Sequence, residues 1–429
     1  MGSLGSALLT GVRGQIACDG GAVVSGIVGF VVSRRRSLRL LSRLVERSAS
    51  AATALIIVNA VRCFAGVRCP AGGGALVVAR RPNERRAVED LRQLVPDVAW
   101  TPVAFEWRPA GMLTALQMVN RPLSDLRHTA RFARRLIRRY GVFRALRAVE
   151  LLAYYRRYAQ LLDSRPFALA VMSSHSNPHG IALNAAAGRS AVPVVLITHG
   201  MPVRPIARLD YQLAIHECEA SRRVYVDAGC RMRHTVIKSR QPEYLPLPSR
   251  WPESWNRVAI CLSKDPVADQ VMACVRALAR DPRTRQVLIR PHPVNLWHGL
   301  GEAVASLADA RVTVQSSTRL ADDLRACDLV LGGNSTVLLD ALIAGTPACY
   351  VRGLDHGPHD VQDFVRDGLV YELPQLWPID AGAVECFYSR REWPAILRRY
   401  AAVDVNPDDV ARAVRLALSG AASTIRSVA

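Results

Sequence analysis

Short apolar runs alternating with stretches of helical periodicity recur from Ala54 to Val351, and no other feature of this chain narrows its fold as much. Runs of that length, rich in Val, Ile and Leu and without polar alternation, predict strands covered on both faces. Such strands pair in parallel, and parallel neighbours need a crossover helix between them. The N-terminal half gives strands at 54–60, 74–79, 98–105, 167–173, 192–198 and 211–215, with helices at 83–94, 178–188 and 217–229. The C-terminal half gives five strands, at 258–263, 286–290, 311–315, 328–333 and 347–351, with helices at 266–280, 299–308, 319–326 and 335–344 between them. The class is therefore α/β: two Rossmann-like, doubly wound domains, expected to face a cleft.

Pro242, Pro246, Pro248 and Pro252 mark the join. Proline at that density fits neither helices nor central strands, so a domain boundary is expected within 241–257. A chain of 429 residues, half of them hydrophobic, has room for two cores. The expected layout is an extension over 1–50, an N-terminal domain over 51–245 with an arginine-rich helical insertion at 122–163, and a C-terminal domain over 246–429. Helices near 391–401 and 407–419 close the chain and are expected to pack across both halves.

The extension reads two ways. Gln15 to Ser33 is about as long as a membrane span and is followed by Arg34, Arg35 and Arg36, but it carries Asp19 and several glycines. It fits a buried strand and helix or a shallow membrane contact. Ser37 to Arg47 sets leucines among arginines, which suits an anionic bilayer surface or a solvated helix. The formal charge is +20, almost all of it arginine, since Lys238 and Lys264 are the only lysines. That charge is either an arginine-rich solvated surface or a call for anionic partners. Zinc-finger spacing, ribonucleoprotein aromatics and a basic zipper are all missing, so nucleic acid is not an expected partner. Ten scattered cysteines without a CxxC pair favour a reducing compartment, hence the cytoplasm or the inner face of the cell membrane.

The polar candidates all follow predicted strands, on one side of their sheets. Gly332-Gly333-Asn334-Ser335-Thr336 joins a strand to a helix: the glycines allow close backbone approach, and Ser335 and Thr336 open the helix with hydroxyls and amides suited to phosphate. Asp340 lies one helical turn beyond Thr336, where it could hold a ribose or simply face solvent. Arg290-Pro291-His292-Pro293 fixes two cationic side chains in a rigid turn, which suits a phosphate or diphosphate. In Thr198-His199-Gly200, His199 ends a buried strand and could act as a general base or donate to phosphate. The loop from Ser173 to Gly180 brings His175 to a strand end, for acceptor binding or helix capping, and Glu217 could orient His199. His356 follows the last strand and could touch the transferred group.

Metal readings are weak. His356, His359 and Asp360 are separated by glycine and proline, and Asp322-Asp323 lies on a helix rather than beside a strand. The expectation is a metal-independent site. The GxGxxG dinucleotide fingerprint, the GxxxxGK[ST] phosphate loop and the GxSxG nucleophile elbow are also missing.

Together, RPHP at 290–293 and CDLVLGGNSTVLLDALIAGTPACYV at 327–351 resemble the donor-binding half of GT-B glycosyltransferases. THGMP at 198–202 is similar to the histidine-glycine motif of CDP-glycerol glycerophosphotransferases and of bacterial capsule and surface-polysaccharide transferases. The resemblance covers about 168–352. It implies a catalytic or phosphate-contacting His199, a donor phosphate on His292, phosphate binding by Ser335 and Thr336, and ribose binding by Asp340. The first glycine-rich strand-turn of the N-terminal half is not recognisable, nor is the acidic motif of bacterial sialyltransferases. The resemblance thus implies a glycosyl or polyol-phosphate transferase with a nucleotide-activated donor, CMP- or CDP-linked, and no cofactor. The acceptor would be a glycan or a lipid-linked molecule, reached by peripheral contact with an anionic membrane. The alternatives are a nucleotide-sugar epimerase or hydrolase on the same fold, and a non-catalytic membrane-associated subunit of a polysaccharide assembly machine.

Overall fold

The structure is a computed structural model that describes residues 66–105, 134–135, 137–138 and 141–426, together with Ala52, Asn59 and Cys63. Positions 176, 205, 239–243, 249–250, 295–296, 298, 375–378 and 402–405 are outside that description. So are both candidate membrane segments, the first part of the helical insertion and most of the strand expected at 54–60; within that stretch Asn59 is helical.

Two six-stranded sheets form the architecture, each with parallel strands throughout. A two-stranded antiparallel ribbon, β1 (Val67–Arg68) with β4 (Ala104–Phe105), accompanies the first. The first sheet contains β2 (Gly74–Val78), β3 (Trp100–Pro102), β5 (Phe167–Met172), β6 (Val194–Ile197), β7 (Asp210–His216) and β8 (Arg231–Ile237), in the order β3-β2-β5-β6-β7-β8.

Alternate residues of its strands serve two separate cores. Leu76, Val78, Ala170, Met172, Leu196 and Ala214 meet α2 (Val142–Ser164) and α3 (Pro178–Arg189) on one face. Ala75, Val77, Leu169, Val171, Val195, Ile197, Leu213 and Ile215 meet α1 (Pro82–Leu94) and the last helix, α11 (Pro407–Arg426), on the other. Both faces are dry, which explains why these strands carry no polar alternation. Proline opens both α1 and α3, where its missing amide costs nothing. The remaining crossover, α4 (Glu219–Asp227), joins β7 to β8.

The second sheet contains β9 (Arg257–Cys261), β10 (Gln286–Arg290), β11 (Val312–Val314), β12 (Leu329–Gly332), β13 (Ala348–Tyr350) and β14 (Tyr371–Glu372), in the order β11-β10-β9-β12-β13-β14. Counted from β9, this is the Rossmann order. Its helices are α5 (Ala268–Arg280), α6 (Leu300–Ala305), α7 (Leu320–Arg325) and α8 (Val337–Ile343), followed by α9 (Ala381–Tyr388) and α10 (Trp393–Tyr400).

The fold class is the expected one, and three features differ from the sequence reading. The second sheet has a sixth strand, β14, only two residues long and too short to show a pattern. The first sheet gains β8, whose Arg231, Arg233 and His234 are exposed; an edge strand with little burial shows no apolar run. The compact units divide between Lys238 and Ser239 rather than after 245, and residues from Asn406 onward, α11 included, go with the first unit. The amphipathic face of α11 presents Val410, Val414 and Ala417 to the sheet built from β2, β5, β6 and β7. Among the described residues, no helix is long and apolar enough to cross a membrane.

Because α11 completes a core laid down by residues nearly two hundred or more positions earlier, its loss should be felt far away in sequence. Val414 is fully buried, and Val414→Ala should cost on the order of 2 kcal/mol. Hydrogen exchange should then show weakened protection in β5 and β7 and unchanged protection in β9 and β12. Equal loosening of all four strands would refute the assignment of α11 to the first unit.

Candidate active site

Doubly wound sheets leave a crevice beyond the carboxyl ends of their strands where the strand order reverses. In the second sheet that point lies between β9 and β12, which pair side by side while the chain runs from β9 toward β10. The loops bordering it are 262–267 and 333–336. The loop after β13 closes over them: the Val267 amide donates to the Leu354 carbonyl at 3.0 Å, and the His356 amide to the Asp265 carbonyl at 3.2 Å.

Asn334 is the hub of this closure. Its side-chain amide donates to Asp355 Oδ1 at 2.9 Å and to the Pro358 carbonyl at 2.7 Å, and its Oδ1 accepts from the Val361 amide at 3.0 Å and Tyr350 OH at 3.4 Å. All four hydrogen-bonding positions of the side chain are filled. Asn334, expected to touch the donor, instead holds the loop that roofs the crevice. Asp355 accepts in addition from the Asn334 amide at 2.6 Å and the Gly357 amide at 3.0 Å. Gly333 permits this: a Cβ there would stand 2.2 Å from Asp355 Oδ2.

The two cations of the RPHP turn part company. Arg290 forms a buried ion pair with Asp323 and also binds Thr318, donating to its carbonyl at 2.8 Å and its hydroxyl at 3.1 Å. The expected Arg290–His292 pair is corrected accordingly, because a buried carboxylate already compensates the guanidinium. His292 is instead joined by Lys264, which sequence reasoning passed over as one of two lone lysines. Burial, and then the charge of Lys264, lower the His292 pKa, so the ring is neutral near neutrality. The Val294 amide donates to Nδ1 at 3.0 Å, so the neutral ring carries its proton on Nε2, as a donor to an anion.

Ser335 and Thr336 are half-buried at the crevice edge, and Ser335 Oγ accepts from the Val337 amide at 3.3 Å. Asp340 is buried rather than solvent-facing, within electrostatic reach of the Cys261 thiol at the end of β9. His356 is exposed on the roofing loop.

The first sheet reverses between β2 and β5, bordered by loops 79–81 and 173–177. Here the sequence-predicted histidines meet residues not foreseen. Glu84, on the first turn of α1, is completely buried and accepts from the Arg80 amide at 2.7 Å and the Arg81 amide at 3.1 Å. Burial alone would raise its carboxyl; His179 Nε2 at 3.8 Å and those two amides outweigh burial and hold it at about 2. Asn177 bridges the two loops, donating to Glu84 Oε1 at 3.3 Å and to Ser174 Oγ at 2.6 Å.

Ser173 Oγ contacts His199 Nδ1 at 2.9 Å. Burial lowers the His199 pKa, the charge of Glu84 pulls it back up, and Arg81 lowers it again. Glu84 thus supplies a carboxylate field at His199, while Glu217, expected to orient His199 or touch the donor, follows β7 in a segment that clusters with the second unit. His175 Nδ1 lies 2.5 Å from Tyr225 OH, and burial, followed by the charges of His199 and His216, lowers its pKa to about 4. Among the described residues, no group of three His, Cys, Asp or Glu is arranged to hold a metal ion.

No protein-family model matches the chain, and no curated protein matches it significantly. Solved structures give weak likenesses. The glycosyltransferase SnogD from Streptomyces nogalater is 13% identical with a TM-score of 0.36, over 84% of this chain and 100% of that one. UDP-GlcNAc 2-epimerase from Neisseria meningitidis, bound to UDP-GlcNAc, is 11% identical with a TM-score of 0.44, over 81% of this chain and 100% of that one. Acinetobacter baumannii MurG is 13% identical with a TM-score of 0.44, over 80% of this chain and 99% of that one. Likenesses of this strength place no constraint on function.

Two outcomes follow from the geometry. Gly333→Ala should break the Asp355 cradle and cost on the order of 2–3 kcal/mol; a denaturation midpoint equal to wild type would contradict the close approach. Unfolded histidine takes up a proton near 6.5 and His175 only near 4, so between those values the unfolded state holds more protons. The stability tied to His175 is therefore complete above pH 6.5 and drains away as pH falls toward 4. Urea titrations at pH 7 and pH 4.5 should show His175→Gln losing less stability than wild type across that interval, by on the order of 2 kcal/mol.

Proposed function

We propose that this chain is a GT-B-type transferase that moves a sugar, or a polyol phosphate, from a nucleotide-activated donor to a surface-polysaccharide or lipid-linked acceptor. The observation that carries the reading is the switch point of the second sheet, where the adjacent parallel strands β9, β10 and β12 end in the loops that carry Lys264, His292, Ser335 and Thr336, with Lys264 close enough to His292 to lower its pKa. A cationic side chain, an imidazole Nε2–H donor and two hydroxyls suit a phosphate better than any neutral ligand. Asp340, buried but within electrostatic reach of the end of β9, is the carboxylate this reading assigns to a ribose.

In this reading the second unit handles the donor and the first unit the acceptor. The acceptor hydroxyl gives its proton to His199 as its oxygen bonds to the donor carbon in sugar transfer, or to the donor phosphorus in polyol-phosphate transfer. The bond from that carbon or phosphorus to the oxygen of the departing nucleotide phosphate breaks, and its electron pair leaves with the nucleotide phosphate. Lys264 and His292 stabilise that developing charge, the role for which enzymes commonly use preorganised donors, and no metal is required. His199 is suited to its part because burial keeps it unprotonated near neutrality, while the buried charge of Glu84 preserves its basicity. Nucleotide-activated donors, and ten scattered cysteines without a CxxC pair, fit a cytoplasmic enzyme, working at the inner membrane face if its acceptor is lipid-linked.

Thermal-shift and calorimetric titration against CMP, CDP, UDP and GDP tests the donor site. At least one should stabilise the chain, and His292→Ala should weaken that nucleotide about tenfold, or ~1.4 kcal/mol. Turnover should fall about a hundredfold or more with the far-ultraviolet circular dichroism unchanged. If none of the four nucleotides binds, the donor assignment fails. Release of free sugar or an epimer without added acceptor would point to the hydrolase or epimerase chemistry instead.

A further inference from the structure

We infer that Ser173 is a positioning residue that locks His199 in the Nδ1–H tautomer, leaving the Nε2 lone pair to take up the acceptor's proton. The inference rests on the proposed function for the use made of that lone pair, and on hydrogen-bond accounting for the rest.

A serine hydroxyl has one proton to donate. Ser173 Oγ lies 2.7 Å from the Ile197 carbonyl oxygen, which can only accept. Two oxygens that close without a hydrogen between them would repel, so the Ser173 proton points at Ile197. Toward His199, Ser173 Oγ can then offer only a lone pair. The 2.9 Å contact to Nδ1 must therefore be a bond in which the ring donates, and Nδ1 carries the hydrogen. Hydrogen bonding to the Ser173 backbone also favours the protonated ring, partly offsetting burial. A neutral imidazole protonated at Nδ1 is bare at Nε2, the nitrogen a general base needs.

The fold makes this arrangement stiff. Ser173 and His199 follow β5 and β6, which pair directly with Met172 opposite Leu196. The Ser173 bond to Ile197 extends that ladder one step beyond the strands, and it is buried. On the far side, Thr198 is held by its amide to the Ile215 carbonyl at 2.9 Å. Gly200, with φ of +106°, then turns the chain sharply away so that the ring stays at the strand end. Serine does here what a carboxylate does in a Ser-His-Asp triad, without adding a charge next to the ring. Glu84 supplies the negative field from further off, and Arg81 and His175 are the cationic or titratable neighbours.

Nitrogen NMR of the whole chain with labelled histidine reads the tautomer directly, with His199 assigned by His199→Gln. Wild type should show Nδ1 protonated and Nε2 bare at neutral pH. In Ser173→Ala the Nε2–H form should appear, whereas Ser173→Thr should keep the Nδ1–H form. In transfer assays Ser173→Ala should lose at least tenfold in kcat with KM within about twofold, and Ser173→Thr should recover most of the loss. A wild-type ring protonated at Nε2, or a tautomer unchanged in a folded Ser173→Ala, would overturn the inference. Undiminished transfer by His199→Gln, with the tautomer responding to Ser173 as described, would remove the transferase reading alone.

Discussion

Burial of both faces of a parallel sheet governs the rest of this structure. With helices packed on either side, every side chain along a central strand is committed to a core, and every backbone group to the ladder. Chemistry can then occur only where strands end. The carboxyl ends are favoured because the chain there has to leave the sheet, turn and enter a helix, and so exposes amides and side chains in fixed positions. Lys264, His292, Ser335, Ser173, His175 and His199 all follow strands in this way.

Loops in such places need support, and buried carboxylates and amides provide it. Asp323 holds Arg290 and Thr318, Asp355 and Asn334 tie the loop after β13 to the end of β12, and Glu84 gathers the turn after β2. Each of these acids is at least nine-tenths buried and accepts several donors. A buried charge with one partner removed is costly, so these groups also specify the loop conformations. The division of labour is physical: acids with full sets of donors act as scaffold for the loops that carry Lys264, His292, Ser335 and His199.

The same distinction explains what the sequence could reveal about the site. The positions of the loops were legible, because each follows an apolar run. His199 and His292 were legible for the same reason. The separate duties of Arg290 and His292 were not: both stand in one rigid turn, and only the distant Asp323 decides that the arginine is compensated. Lys264 escaped notice because the loop after β9 carries no motif. Glu84 escaped because a glutamate in the helical text PNERRAVED looks solvent-facing; its burial depends on Arg80, Asn177 and His179.

What the sequence determined by itself was the class of fold, the order of most strands and helices, and the positions of the polar loops that follow the strands. Those properties follow from hydrophobic periodicity, which is local and needs no partner to be read. Tertiary structure alone decided the edge strands β8 and β14, the return of α11 to the first sheet, and the protonation pattern of His199. Each depends on contacts between residues far apart in the chain. An edge strand has little apolar surface to declare itself, an amphipathic helix does not say which core it will cover, and an imidazole does not choose its tautomer until a neighbour's hydroxyl is already engaged.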